Sequence, residues 1–393
     1  TSSRLIPAPA GGSRCMNHCA GWHRGRQRSS MTALGCWARR PFTRQPRESA
    51  PMIGYTATGI GSLPGVNAAE ATRIVAGELS DLPHVVELPA RGPGSDMIGR
   101  TMAMLAELAP DLSVETTPVG WRFCDTPGSV MRRARSWLAE DLDAAEQHYA
   151  GTSVIKAQVC GPWTLAAGVE MRNGERAIRD HGACRDIAAA LADAVGAHIR
   201  DIQRRIPGAR VIVQVDEPSL PAALAGGIST ASGIATYRRI DPQIAQGHLA
   251  TVVESMTRLD GVGWLHCCAA HPPIEMLVRA GVTGLAVPLR PEDVASEVEQ
   301  EPVGQALDQG ATLGWGVLDG REMTAGPGDA SRAASSVLRQ LDRWGFTPES
   351  VADRIVLTPS CGLAGSTPHV VRAAYRALRE VGRLLRDEGL EPA

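Results

Sequence analysis

The sequence predicts a single (β/α)8 barrel over residues 53–393, preceded by a disordered N-terminal extension over residues 1–52. Three observations carry that prediction. Short β-rich apolar runs alternate with longer amphipathic stretches about eight times in ~340 residues, the period of a barrel with insertions. The unusual polar residues of those runs collect at their C-terminal ends, the face on which such barrels build their sites. No GxGxxG fingerprint follows the first run, which disfavours the runner-up, a doubly wound open sheet.

Residues 1–52 are rich in Arg, Ser, Gly and Pro, nearly free of acids and without a hydrophobic period. Such a stretch buries too little apolar surface to order itself. It has the look of an Arg- and Ser-rich transit segment, but a start placed too far upstream, with Met31 or Met52 as the true beginning, is the preferred reading. From Ile53 the strand candidates are Gly59–Leu63, His84–Leu88, Ser153–Val159, Val211–Asp216, Gly263–Cys267, Thr283–Pro288, Thr312–Leu318 and Ile355–Thr358. Helices are expected to begin near Asn67, Ser95, Ile178, Pro242, Pro272, Asp293, Asp329 and Thr367.

Composition excludes several classes. The chain of 393 residues is 44% hydrophobic, ample for a core, and its net charge of −2 gives no electrostatic case for nucleic acid or an anionic membrane. No apolar run approaches the ~18 residues that span a bilayer. Nine Cys, an odd number without a secretory leader, argue against a disulfide framework and for a reducing cytoplasm. Lys156 is the only lysine, so any Schiff-base chemistry has one candidate. It lies deep in its strand, where a structurally paired or solvent-facing lysine is the plainer reading.

The motif that organises the chain is GVGWLHCCAAH, residues 261–271. Strand side chains alternate faces, so His266 and Cys268 point one way, about 7 Å apart along the backbone, and Cys267 the other. A loop after the last strand could bring the Cys361 thiolate to them. One nitrogen and two sulfurs with room for a further ligand suit a catalytic zinc better than a structural one. The competing reading is a buried apolar strand in which Cys is ordinary core.

Asp216 and Glu217 close the run VQVDEPSL. At most one of two neighbours enters the mouth, to hold a substrate ammonium or accept a proton; otherwise both cap the loop or pair with arginines. The Ile60-Gly61-Ser62 turn offers backbone N–H groups to a carboxylate, or else begins the helix at Asn67. Asp96 reads as a helix N-terminal residue. His84, His181 and His271 sit in polar loop contexts that need no special role.

Taken together, Ile60-Gly61-Ser62, Gly161-Pro162-Trp163-Thr164, Asp216-Glu217-Pro218, His266-x-Cys268 and Ser360-Cys361-Gly362-Leu363 resemble the catalytic barrel of cobalamin-independent methionine synthase, over nearly all of Ile53 to the C-terminus. The resemblance implies a zinc-dependent S-methyltransferase that moves a methyl group from a methyltetrahydrofolate-type or corrinoid donor to homocysteine, giving methionine. It implies His266, Cys268 and Cys361 as zinc ligands, Ile60 to Ser62 at the homocysteine carboxylate, Asp216 at its amino group, and Glu87 as a second acid there. The family's further Glu ligand, after the sixth strand, is replaced by Val287-Pro288, with Glu292 and Asp293 nearby; its His after the seventh is replaced by Arg321. The family's duplicated N-terminal barrel does not fit in this length. Two other functions compete: a metal-free enzyme like uroporphyrinogen decarboxylase, whose sequence is similar around Cys160–Ala166, and a non-catalytic barrel binding an amino acid or metal.

Overall fold

The computed structural model describes residues 54–288, 297–319 and 328–388, all within the compact unit Ser49–Ala393. Expectations for residues 1–52, Glu292, Asp293 and Arg321 lie outside the described residues. In chain order the elements are β1 (Thr56–Ala57), α1 (Ala68–Glu78), α2 (Met97–Leu108), β2 (Val114–Thr117), β3 (Gly120–Phe123), α3 (Ser129–His148), β4 (Val154–Cys160) and α4 (Pro162–Gly168). Then follow β5 (Val169–Glu170), α5 (His181–Arg205), β6 (Arg210–Asp216), α6 (Leu220–Ala225), α7 (Pro242–Thr257), β7 (Val262–His266) and α8 (Ile274–Arg279). Last come β8 (Gly284–Pro288), α9 (Glu297–Asp308), β9 (Thr312–Leu318), α10 (Gly328–Trp344), α11 (Pro348–Val351), β10 (Ile355–Pro359) and α12 (Pro368–Glu388).

Seven strands form one parallel sheet in the order β1-β10-β9-β8-β7-β6-β4. The eighth stave is the chain at Pro83–Leu88, expected as the strand His84–Leu88; it is bridged to β4 by His84 with Lys156 and to the continuation of β1, within the expected strand Gly59–Leu63, by Ser62 with Glu87. Backbone bonds nevertheless close the ring: Val85 N to Lys156 O (2.8 Å), Lys156 N to Pro83 O (2.9 Å), Glu87 N to Gly61 O (3.2 Å) and Leu63 N to Glu87 O (2.9 Å). A closed parallel ring leaves no edge and, with helices outside, is the expected barrel.

Side-chain alternation turns Ile212 of β6, Trp264 of β7, Ala286 of β8 and Val356 of β10 inward, where they pack with Leu82 as the floor of the lumen. Trp264 is only 1% exposed, and a Cβ at Gly284 would collide with its indole. The floor is therefore a filled plug, and the polar inward residues sit above it. Side-chain caps start the helices: Asn67 accepts from Glu70 N, Asp96 from Gly99 N, Asp180 from Ala183 N and Asp241 from Gln243 N. An addition absent from the sequence reading is the small sheet β2-β3-β5: β2, β3 and helix α3 come before β4, and β5 follows α4.

His84 departs from its expected polar loop. It is wholly buried, with Nδ1 3.0 Å from Val85 O and Nε2 2.9 Å from the Tyr375 hydroxyl on α12. Burial, helped by the Lys156 charge, pushes its pKa down to about 3. The unfolded chain therefore takes up a proton near pH 6.5 that the folded chain refuses. Stability from this group is present above pH 6.5 and is lost as pH falls toward 3. Relative to a His84→Gln variant, the wild type is expected to lose about 1.4 kcal/mol per pH unit below 6.5. Urea midpoints of both proteins at pH 7 and 5 check this; parallel shifts would contradict it.

Candidate metal and amino-acid site

The mouth of the barrel lies at the C-terminal ends of β6, β7 and β10. In the sheet register Cys160, Asp216 and His266 are successive neighbours across β4, β6 and β7. Cys268 follows two residues beyond β7, and Cys361 two beyond β10. One donor atom from each of His266, Cys268 and Cys361 lies within 4.8 Å of the others. Tetrahedral zinc with bonds of ~2.0–2.3 Å keeps its ligands about 3.3–3.8 Å apart, so a contraction of roughly 1 Å suffices. His266 is oriented for this. Its Nδ1 lies 2.9 Å from Ala286 O, which fixes that nitrogen as the N–H donor and leaves Nε2 with a free lone pair. Buried Nε2 has no hydrogen-bond partner among the described residues, an unusual state that a metal would relieve. The donor chemistry fits the ion.

The two thiols share a proton in this arrangement. The bond from the Cys268 thiol holds Cys361 down to about 4, and that same bond, then burial, push Cys268 well above the ordinary thiol range. A ligating metal replaces that proton, so affinity falls in acid. Cys267, on the other face, is fully buried in the core.

The Ile60–Ser62 turn lies directly beside the Cys361 loop. Leu363 N donates to Ser62 O at 2.8 Å, and a Cβ at Gly362 would strike Ser62 Oγ. Gly61 has φ +151°, and a Cβ there would press on the Gln158 amide. Among the described residues the N–H groups of Ile60, Gly61 and Ser62 have no partner, leaving three donors beside the thiolates. Asp216 and Glu87 each are 7% exposed. Burial pushes Asp216 up to about 6, against the nearby His266 ring and the Gln214 amide. Burial pushes Glu87 up to about 7, against Arg100, whose Nε is 3.7 Å away; the Asp216 charge adds to the rise. The two acids therefore face the same space.

Glu217 is corrected from a substrate contact to an anchor. It faces away from the mouth and is 0% exposed. Its Oε1 accepts from Trp163 N (2.8 Å), and its Oε2 from Thr164 N (2.9 Å) and Thr164 Oγ1 (2.7 Å), at the start of α4. A carboxylate at a helix N-terminus satisfies orphan donors and the dipole together. Gln158 is among the polar strand-end residues of the sequence reading; the residues it missed are Gln214 and Arg100. The one available signal was that Gln214 lies two before Asp216 in a strand and so on the same face.

Fold and site together define a parallel barrel enzyme with a thiolate-rich donor set at its mouth. The model of the cobalamin-independent synthase catalytic domain matches residues 55–383, and the chain belongs to that family. No curated protein sequence matches. Among solved structures, a B12-independent methionine synthase from Shewanella sp. W3-18-1, in complex with selenomethionine, is 12% identical with a TM-score of 0.52. The match covers 85% of this chain and 98% of that one and shows the fold. A phosphonopyruvate hydrolase in complex with oxalate and Mg++ matches with 14% identity, 82% and 88% coverage and a TM-score of 0.28, too low to carry an argument. Among the described residues no helix is long and apolar enough to cross a membrane.

Proposed function

We propose that this chain is a zinc-dependent S-methyltransferase that converts homocysteine to methionine with a methyltetrahydrofolate-type or corrinoid donor. The observation that carries the reading is the meeting of His266, Cys268 and Cys361, distant in sequence, with His266 Nε2 buried and unpartnered. These three side chains would hold zinc, whose Lewis acidity keeps an incoming thiol ionised at neutral pH. The unpaired N–H groups of Ile60–Ser62 bind the substrate carboxylate, and Asp216, with Glu87 beside it, binds the ammonium. That places the substrate sulfur at the thiolate cluster. In the transfer, the sulfur's electron pair forms the S–CH3 bond while the bond from methyl carbon to donor breaks and the donor keeps that pair: a folate nitrogen then takes a proton, whereas a corrinoid cobalt is left two electrons reduced. A metal-free, decarboxylase-like reaction does not ask these three donors to meet.

An Asp216→Asn variant keeps its shape but loses the charge that meets the ammonium. Charged hydrogen bonds contribute ~1.5–3 kcal/mol, so KM for homocysteine is expected to rise about 10- to 100-fold. Methionine formation is assayed with zinc-loaded enzyme, methyltetrahydrofolate and methylcobalamin being offered in parallel. No methionine from either donor with wild-type, zinc-containing protein would refute the proposed activity.

A further inference from the structure

Lys156 is the only lysine in a chain with 40 Lys and Arg, and it is 0% exposed in the lumen. A general preference for arginine would account for every other basic position. It does not explain why one buried position keeps an ammonium. The surroundings do. Lys156 Nζ donates to Ile60 O at 3.0 Å and to Gln214 Oε1 at 2.8 Å. With the Gln158 amide oriented to satisfy both its ends, its oxygen lies 3.1 Å from Nζ and its nitrogen donates to Val85 O at 3.0 Å. An ammonium has three donors, and here three oxygens meet them. A guanidinium, planar with five donors in a fork, has no matching set.

Each acceptor leads to the pocket. Ile60 O belongs to the turn that lies beside the Cys361 loop. Gln158 packs against Gly61 of the same turn. Gln214 Nε2 donates to Ile60 O at 2.9 Å and to Asp216 Oδ1 at 2.7 Å. One side chain below the mouth thus ties the carboxylate-binding turn to the ammonium-binding acid.

We propose that Lys156 is the positioning residue that sets the distance between the two ends of the amino-acid pocket, and with it the selectivity for thiols that are α-amino acids over simple thiols. The inference rests on the activity proposed above. Lys156 touches neither substrate nor metal; it acts through Ile60, Gln158 and Gln214. Removing the ammonium frees the turn and Asp216 to drift independently, and a shift of about 1 Å at such contacts costs up to ~100-fold.

The test is calorimetric titration of zinc-loaded protein with homocysteine, with 4-mercaptobutanoate, which lacks the ammonium, and with ethanethiol, which lacks both ends. Wild type is expected to bind homocysteine at least 100-fold more tightly than ethanethiol. Lys156→Met is expected to retain one zinc per chain and to lose 10- to 100-fold of that preference, which Lys156→Arg does not restore. Gln214→Leu removes the arm to Asp216 and the amide's bonds to Lys156 and Ile60, while Lys156 still holds Ile60 O; it therefore weakens homocysteine and leaves 4-mercaptobutanoate within about threefold, and it carries the test should Lys156→Met not fold. An unchanged preference in a folded Lys156→Met protein, or equal losses for both acids in Gln214→Leu, would overturn the positioning role while the activity stands. Zinc-loaded wild type that binds none of the three thiols would overturn both.

Discussion

Replacing Cys361 with serine is expected to remove zinc from the protein and to lower methyl transfer at least ~10³-fold, with the fold intact. The residue is exposed in a loop beyond β10, and surface changes of this kind cost within about 0.5 kcal/mol of stability. Its sulfur is one of three donors within 4.8 Å, and a serine hydroxyl is a poor zinc ligand at neutral pH. Without the ion a thiol at pH 7 is only a few per cent thiolate. That accounts for roughly 30-fold, and the loss of a fixed position for the sulfur supplies the remainder. Metal analysis, circular dichroism and methionine formation, measured on one preparation, check the three statements. A Cys361→Ser protein that retains a full zinc and ordinary turnover would show that this loop is not part of the centre.

The largest effect on stability is expected at Asp141 on α3. Its Oδ1 lies 2.9 Å from Arg91 Nη1 and its Oδ2 pairs with Arg100 Nη1, and all three side chains are at most 5% exposed. Arg100 in turn stands 3.7 Å from Glu87 at the mouth. Asp141→Ala leaves two guanidinium groups buried without their shared counter-ion, which costs about 3–5 kcal/mol, or roughly 5–10 °C in Tm for a chain of this size. Asp141→Asn keeps one acceptor and its shape, and is expected to cost less. Chemical denaturation of the three proteins at one pH measures the difference; a loss below about 1 kcal/mol for the alanine variant would mean that solvent reaches the network.

The sequence shows more of the frame than of the wiring. Thr312–Leu318 and the helix at Pro242 lie where β-branched runs and an Asp-Pro start place them, because local pattern decides both. The insertion spanning β2, β3 and α3 was invisible for a local reason. Its two strands have four residues each, mostly exposed or half-buried, and the face of α3 toward the core is largely alanine, Ala134, Ala144 and Ala145, a weak periodic signal. The donor residues were legible because their types are chemically specific and they sit at strand ends. The role of Lys156 was not, since its partners Gln214 and Ile60 are 58 and 96 residues away and only barrel closure brings them together. Strand alternation admits only one of Asp216 and Glu217 to the mouth without saying which, and the donors at Trp163 and Thr164 that hold Glu217 appear only in the fold.

That zinc here is gripped by two sulfurs and one imidazole, and accepts a substrate sulfur as a further ligand, is most directly examined by zinc K-edge X-ray absorption of the purified protein with and without homocysteine. The account predicts two sulfurs at about 2.3 Å and nitrogen at about 2.0 Å, rising to three sulfurs when the thiol is added. A zinc signal without sulfur neighbours, or a sulfur count that homocysteine leaves unchanged, would contradict it.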